Sequence, residues 1–342
     1  YWLEEFQLDG LRFDAVHGIH DDSHPHILEE IAEAVARGPG RERHVHLVLE
    51  NDNNEARYLQ RNRDGMPVCY KAQWNDDIHH ALHVLITGEE AGYYQDYADK
   101  PADHLGRCLT EGFAYQGESS PYRKGRLRGE PSRLLPPTAF VSFLQNHDQI
   151  GNRAFGERIT SLAKERNIRL AAALLLLAPS PPLLFMGEEF FAQTPFYFFC
   201  DFDGELAGEV TAGRRREFAC FPQFADPERL ALIPDPTSPE TVARSRLNWQ
   251  SHASSDGRRG HAFYKKLFDL RKQHIIPRLK GIEGGNTALQ AVTHPNVPSF
   301  HYSLSLRGHA AESRVVLRVR YSSLASNSAS ITSSPLRLTS PS

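Results

Sequence analysis

Short apolar runs recur along the first 190 residues, and those that read as strands end near acids. Leu11 and Phe13 flank Arg12 after Gly10, a period-2 pattern that predicts a buried strand ending at Asp14. Ile27, Leu28, Ile31, Ala34 and Val35 recur at three- and four-residue spacing, which predicts a helix from Ser23 to Ala36, stopped by Gly38-Pro39-Gly40. His44–Glu50 (HVHLVLE) predicts a second strand, again closed by an acid. Strand, helix and strand follow one another within about forty residues, the rhythm of a βαβ unit and a parallel sheet. Residues 55–66 read as a polar helix and Val68–Trp74 as a third strand, followed by Asp76 and Asp77. Ile78–Thr87 reads as a helix, and a helical piece lies near Asp103–Gly112 within a long segment rich in Gly, Tyr and Pro. Phe140–Leu144 predicts a fourth strand, running into Gln145-Asn146-His147-Asp148. An apolar helix over Arg158–Ala178 leads to a fifth strand, Leu183–Met186, which ends in Gly187-Glu188-Glu189. Helical segments follow at roughly 208–225 and 259–275. Beyond Pro277 the period changes to two, as in Val315–Val319, and from Ser322 on the chain is low-complexity and expected to be disordered.

Composition narrows this little. The chain has 342 residues, 40% hydrophobic and 24% charged, with net charge -3, so no basic excess points to nucleic acid and no acidic block to a tail. Cys69, Cys108, Cys200 and Cys220 are scattered without CxxC spacing, which suggests neither a zinc ribbon nor a disulfide framework. The longest apolar run, Leu170–Pro179, is too short to span a bilayer. The opening YWLEEFQLDG carries no secretory pattern, and a cytoplasmic setting is expected. The oligomeric state is not legible.

The repeated strand-end acids carry the chemistry. In a parallel α/β barrel all strand C-termini share one face, where active sites sit. Arg12 and Asp14 lie on the same face of one strand, so the guanidinium can hold the carboxylate ionised. Taken alone, the pair reads equally as a structural ion pair and as a catalytic acid. Glu50, closing an apolar strand, is the acid expected to hold a proton, and Asp148 a third acid able to stabilise positive charge on a sugar ring. Retaining glycoside hydrolysis needs an ionised nucleophile and a protonated acid about 5–5.5 Å apart. Trp74, Tyr93, Tyr94, Tyr97 and Tyr115 could serve as platforms for pyranose rings or simply as core. Asp76 and Glu188 could equally be helix N-caps. His79 and His83 stand four apart on a helix, but no HExxH-type pattern is present, and neither a metal nor a cofactor is expected.

Three motifs stand in order: Gly10-x-Arg12-x-Asp14-Ala15, the strand-end Glu50, and Asn146-His147-Asp148. Together they resemble the α-amylase family of glycoside hydrolases. Within it, VLENDNNEARY, AQWNDDIHHALHVLITGEEAGYYQDY, FVSFLQNHDQIGNRAFGER and LLLLAPSPPLLFMGEEF resemble the branch that releases trehalose. The resemblance covers about 1–275. It implies a partial TIM (β/α)8 barrel, strands four to eight of the family fold, over residues 1–277. Residues 278–342 would follow as a degenerate C-terminal β-segment. It implies hydrolysis of the α-1,4 bond next to the trehalose end of maltooligosyltrehalose, an α-glucan oligosaccharide. Asp14 would be the nucleophile, Glu50 the general acid/base and Asp148 the transition-state stabiliser. Arg12 and His147 would support the ring being cleaved, His17 and Asn146 would bind substrate, and Trp74, Asp76, Asp77 and His80 would belong to the trehalose side. The alternatives are a related α-glucan transferase, such as a glycogen branching enzyme, and an inactive fragment.

Overall fold

The computed structural model describes residues 1–219, 224 and 226–285, and the backbone of 289–293, 299–307 and 314–322. Cys220 and the low-complexity stretch beyond Ser322 lie outside the described residues. The chain forms two compact units: residues 1–144, 173–182 and 268–342 make the first, and residues 145–172 and 183–267 the second.

Strand β1 (Gly10–Phe13), helix α1 (Ile27–Arg37), strand β2 (His46–Leu49) and strand β3 (Ala72–Trp74) open the first unit. Helices α2 (Asp76–Thr87) and α3 (Pro101–Glu111), the short hairpin β4 (Glu118–Ser119) and β5 (Leu127–Arg128), and strand β6 (Phe140–Phe143) follow. With β7 (Pro182–Leu183), strands β1, β2, β3 and β6 form a five-stranded sheet in chain order; β1 pairs with β2, β2 with β3 and β3 with β6, all in parallel. This is the sheet that the βαβ rhythm predicts. Gly10 lets β1 start against β2, because a Cβ there would stand 2.3 Å from the His46 carbonyl oxygen.

Register decides which side chains share a face. Arg12, Val48 and Ala72 align in one row, so Asp14, Glu50 and Trp74, each two residues on, extend the same face at the strands' C-terminal ends. The opposite face carries Leu11, Phe13, Leu47, Leu49 and Phe140, packed with Val16, Leu28, Tyr70 and Phe113 into one apolar core. The sheet thus has a sealed apolar side and a side edged with charge.

The predicted third strand is shorter than its apolar run. Arg61 donates to the carbonyls of Leu59 (2.5 Å), Tyr70 (3.3 Å) and Lys71 (2.6 Å), so residues 70–71 spend their acceptors on a guanidinium rather than on a ladder. The polar helix expected over 55–66 shrinks to one 3-10 turn, Ala56–Leu59.

The second unit holds α4 (His147–Gly151), α5 (Ile159–Leu162) and most of α6 (Glu165–Leu177), then α7 (Gly204–Phe218), α8 (Pro227–Ala231), α9 (Pro239–Ser245), α10 (Trp249–His252) and most of α11 (Ser255–Leu270). The single helix predicted over 158–178 is therefore two, divided at Ala163, whose backbone is extended at φ -130° and ψ 157°. Past residue 285, β8 (Leu289–Thr293), β9 (Ser299–Arg307) and β10 (Arg314–Ser322) form a three-stranded antiparallel sheet. No helix among the described residues is long and apolar enough to cross a membrane.

Candidate active site

The turn after β1 is built around Glu50. The Glu50 amide donates to the Phe13 carbonyl (2.9 Å) and the Glu50 carbonyl accepts from Val16 N–H (3.1 Å), which locks the ends of β1 and β2 together. Between them Ala15 adopts a left-handed backbone, φ 44° and ψ 44°, a conformation that costs about 1 kcal/mol or more for a residue with a Cβ. That conformation turns the Ala15 N–H onto Glu50 Oε2 at 2.5 Å. The strained backbone thereby holds the carboxylate of the neighbouring strand.

Arg12 lies at the centre of this turn. Its guanidinium stacks 4.2 Å over the Trp74 ring, pairs with Asp14 and stands 3.6 Å from Glu50 Oε2. The side-by-side Arg12–Asp14 arrangement expected from the strand period is what the structure shows. The Asp14 side chain is 75% exposed and that of Glu50 14%, so one acid faces outward and the other is enclosed. Arg12 Nε and Nη2 are buried and have no hydrogen-bond partner among the described residues. His17 accepts the Asp52 N–H on Nδ1 at 3.2 Å and so braces the loop that follows Glu50.

A second set of charges lies behind that loop. Asp77, at the start of α2, is fully buried. Its Oδ2 accepts from Ala114 N–H (2.7 Å), Tyr115 N–H (3.0 Å) and Asn54 Nδ2 (3.0 Å). Its Oδ1 accepts from the Tyr97 hydroxyl (2.6 Å) and pairs with Arg128 at 2.8 Å. Burial opposes the charged form, but Arg128 and these hydrogen bonds prevail and hold Asp77 below the ordinary carboxylate range. Arg128 also donates to the Asp52 carbonyl at 2.9 Å, and Arg123 to Asn53 Oδ1 and the Asp52 carbonyl, each at 2.9 Å. The loop leaving Glu50 is thus held by two arginines that are 70 or more residues away in sequence. Gly129 follows Arg128 with φ +87°, and a Cβ there would meet the Tyr115 carbonyl oxygen at 1.9 Å.

The neighbouring Asp76 retains some solvent contact, yet burial and then the Glu50 charge push its carboxyl up to about 8. His80 is buried among Tyr93, Tyr94 and Tyr97, with ring centroids 4.7 to 5.5 Å away; burial first, then His79, Arg128 and His83, keep it well below the usual imidazole range and hence neutral. Tyr94, Tyr97 and Tyr115 are buried, with hydroxyls spent on His79, Asp77 and the Asp96 carbonyl, so they pack as core rather than as exposed platforms.

Asn146, His147 and Asp148 belong to the second unit. Asn146 caps α4: its Oδ1 accepts from Asp148 N–H (2.8 Å) and Gln149 N–H (3.2 Å), while Gln149 Oε1 accepts the Asn146 N–H (3.0 Å), a complete capping box. Asp148 and His147 are about half exposed, with His147 Nε2 3.9 Å from Asp148 Oδ1.

The structure thus joins Arg12, Asp14, Glu50 and Trp74 directly, with Asp76 felt by Glu50 through its charge, and gives Asp77 internal partners. Sequence reasoning missed the backbone role of Ala15, and missed Asp52, Arg123 and Arg128. Ala15 carries no signal of a left-handed turn, and the two arginines are ordinary members of a polar loop.

No protein-family model matches the chain. The malto-oligosyltrehalose trehalohydrolase of Rhizobium sp. (strain M-11) is 40% identical over 299 residues, which is 84% of this chain and 47% of that protein. The proteins of the same name from Mycobacterium tuberculosis (strain H37Rv) and Saccharolobus solfataricus are 40% identical over 273 residues and 37% over 290, covering 79% and 84% of this chain and 46% and 47% of theirs. The chain spans about half the length of the curated relatives it matches. A crystal structure provisionally described as an alpha amylase from Salmonella typhimurium superposes with TM-score 0.85 at 42% identity, over 94% of this chain and 52% of that one. The parallel sheet and its helices are thus a partial (β/α)8 barrel. Strand-end acids, parallel topology and kinship together lead to one assignment: the chain belongs to the α-amylase family of glycoside hydrolases, among the relatives of malto-oligosyltrehalose trehalohydrolase.

Proposed function

We propose that this protein hydrolyses the α-1,4-glucosidic bond next to the trehalose end of maltooligosyltrehalose and releases trehalose, with retention of configuration. The observation that carries the reading is the Arg12 guanidinium shared by an outward-facing Asp14 and an enclosed Glu50. In the first step the Asp14 carboxylate attacks the anomeric carbon and forms a glycosyl ester. The exocyclic C–O bond breaks and Glu50 gives its proton to the leaving oxygen. Water, deprotonated by Glu50, then displaces Asp14 and restores both groups.

By motif, Asp148 stabilises the oxocarbenium-like transition state, with Asn146 and His147 supporting it. Arg12 and His17 serve the ring being cleaved. Trp74, Asp76 and His80 serve the trehalose side, and Asp77 acts there through the backbone it holds. The reaction needs no cofactor, and we place the enzyme in the cytoplasm.

The test is incubation of the purified chain with maltotriosyltrehalose, with products resolved by chromatography. Free trehalose and maltotriose support the reading, and new α-1,6 branches would replace it with a transferase. A second reading, a span that holds the acids without turnover, is favoured by the position of β1 at one edge of the sheet. Its signature is the absence of any product.

A further inference from the structure

Glu188 follows β7 in the sequence Gly187-Glu188-Glu189 and is sealed inside the second unit. Its Oε1 accepts from the Tyr264 hydroxyl of α11 at 3.2 Å, and its Oε2 from Gln145 Nε2 at 3.4 Å. The other end of that amide, Gln145 Oε1, accepts the Ile159 N–H at 3.1 Å. Gln145 is itself buried and is pinned between Glu188 and the first residue of α5. The surroundings are equally tied. Arg158 donates to the carbonyls of Met186 (2.8 Å) and Thr194 (2.5 Å), and Thr160 Oγ1 to that of Ala192 (2.9 Å). Gln145 directly precedes Asn146, whose side chain caps the helix that carries His147 and Asp148.

We propose that Glu188 is a positioning residue for Asp148: through Gln145 it fixes the residue from which the Asn146-His147-Asp148 segment springs. The proposal rests on the reading of Asp148 as the stabilising acid. A buried acid is costly to keep, and an apolar residue of similar volume would often stabilise such a site as well or better. What the carboxylate supplies is two acceptors facing two donors. Protonation leaves the Gln145 amide facing a neutral, weaker acceptor, because the Tyr264 hydroxyl can turn to accept the new O–H.

The ionisable groups facing Glu188 are Tyr264 from α11, Arg158 at the start of α5 and the adjacent Glu189; Arg169 of α6 acts on Tyr264 from behind. Burial, only partly offset by the hydrogen bonds from Tyr264 and Gln145, raises the carboxyl to about 7, so the weakening of the Gln145 hydrogen bond falls in the neutral range.

Amide hydrogen exchange of residues 146–151 tests this in the full chain, at pH 6 and pH 8, after correction for the intrinsic exchange rate. In the wild type, protection is expected to rise severalfold from pH 6 to pH 8. Glu188→Gln, which keeps an acceptor and cannot titrate, removes that rise. Glu188→Leu and Gln145→Met reduce protection about tenfold at both values; the second variant leaves Glu188 in place should the first fail to fold. Wild-type protection in Gln145→Met, or a flat wild-type profile, overturns the proposal. Trehalose release supplies a second readout: an acid limb near pH 7 in kcat but not in KM, absent from Glu188→Gln. A chain that releases no trehalose defeats the functional reading and leaves the exchange result to decide this one.

Discussion

Asp14 and Asp77 are both aspartates paired with an arginine just past the end of a parallel strand, and they have opposite fates. Asp14 meets Arg12 with its side chain 75% exposed. Asp77 meets Arg128 at 0% exposure, and its two oxygens take four hydrogen bonds besides that ion pair. One acid has acceptor capacity left for a substrate and the other has none. The comparison shows that an acid–arginine pair identifies chemistry only once its remaining lone pairs are counted. The sealed pair builds the loop behind Glu50, and the open pair faces what comes to it.

The largest difference expected between the two is in turnover. Asp14→Asn should lower trehalose release by on the order of 10³-fold or more, with the melting temperature nearly unchanged, because it removes a nucleophile and little packing. Asp77→Asn should do the reverse first. It leaves the buried Arg128 with only the half-exposed Asp52 carboxylate, 3.4 Å away, as a charged partner, and should cost on the order of 3 kcal/mol in urea unfolding, with any loss of activity following from the displaced loop. A variant at 77 that unfolds like the wild type would contradict the sealed-pair account.

The pH dependence separates buried acids in a further way. Asp77 is held below its ordinary pKa, so its contribution is complete above about pH 4 and is lost as the pH falls below that. Glu188 has the opposite sign. Its pKa is raised from 4.5 to about 7, so its ionisation costs stability progressively as the pH climbs through that window, by about 3 kcal/mol at the top. Unfolding free energies of Glu188→Gln and wild type should therefore diverge by roughly that amount between pH 4.5 and 7.5, in favour of the variant. Parallel curves would place the proton elsewhere. The smallest effect should come from Asn146→Ala, which removes a cap and should cost about 1 kcal/mol, read as faster exchange of the Asp148 and Gln149 amides.

The fold was legible where side-chain period and register are local. Leu11 and Phe13 alternating with Arg12 place β1, and the same period puts Arg12 beside Asp14. The apolar spacing of Ile27 to Val35 places α1. Legibility ended where a distant residue intervened. Arg61 shortens β3 by claiming the carbonyls of residues 70 and 71, and the apolar run Val68–Trp74 contains nothing to announce it. Ala163 breaks a helix without Gly or Pro. At the site, the strand-end acids are visible in the sequence because chemistry selects their type and strand ends fix their place. The left-handed Ala15 is not, because alanine ordinarily avoids that conformation. Nor are Arg123 and Arg128, which reach Asp52 and Asn53 across some seventy residues.

In the proposed reaction the open acid, Asp14, forms the bond to the sugar. The most direct test of this step is mass spectrometry of peptides after incubation with a fluorinated α-glucosyl fluoride, a donor whose ester intermediate turns over slowly. A glucosyl adduct is expected on the peptide containing Asp14 and is expected to be absent from Asp14→Asn. An adduct on Glu50, Asp148 or another residue, or none in a chain that still releases trehalose, would contradict this step.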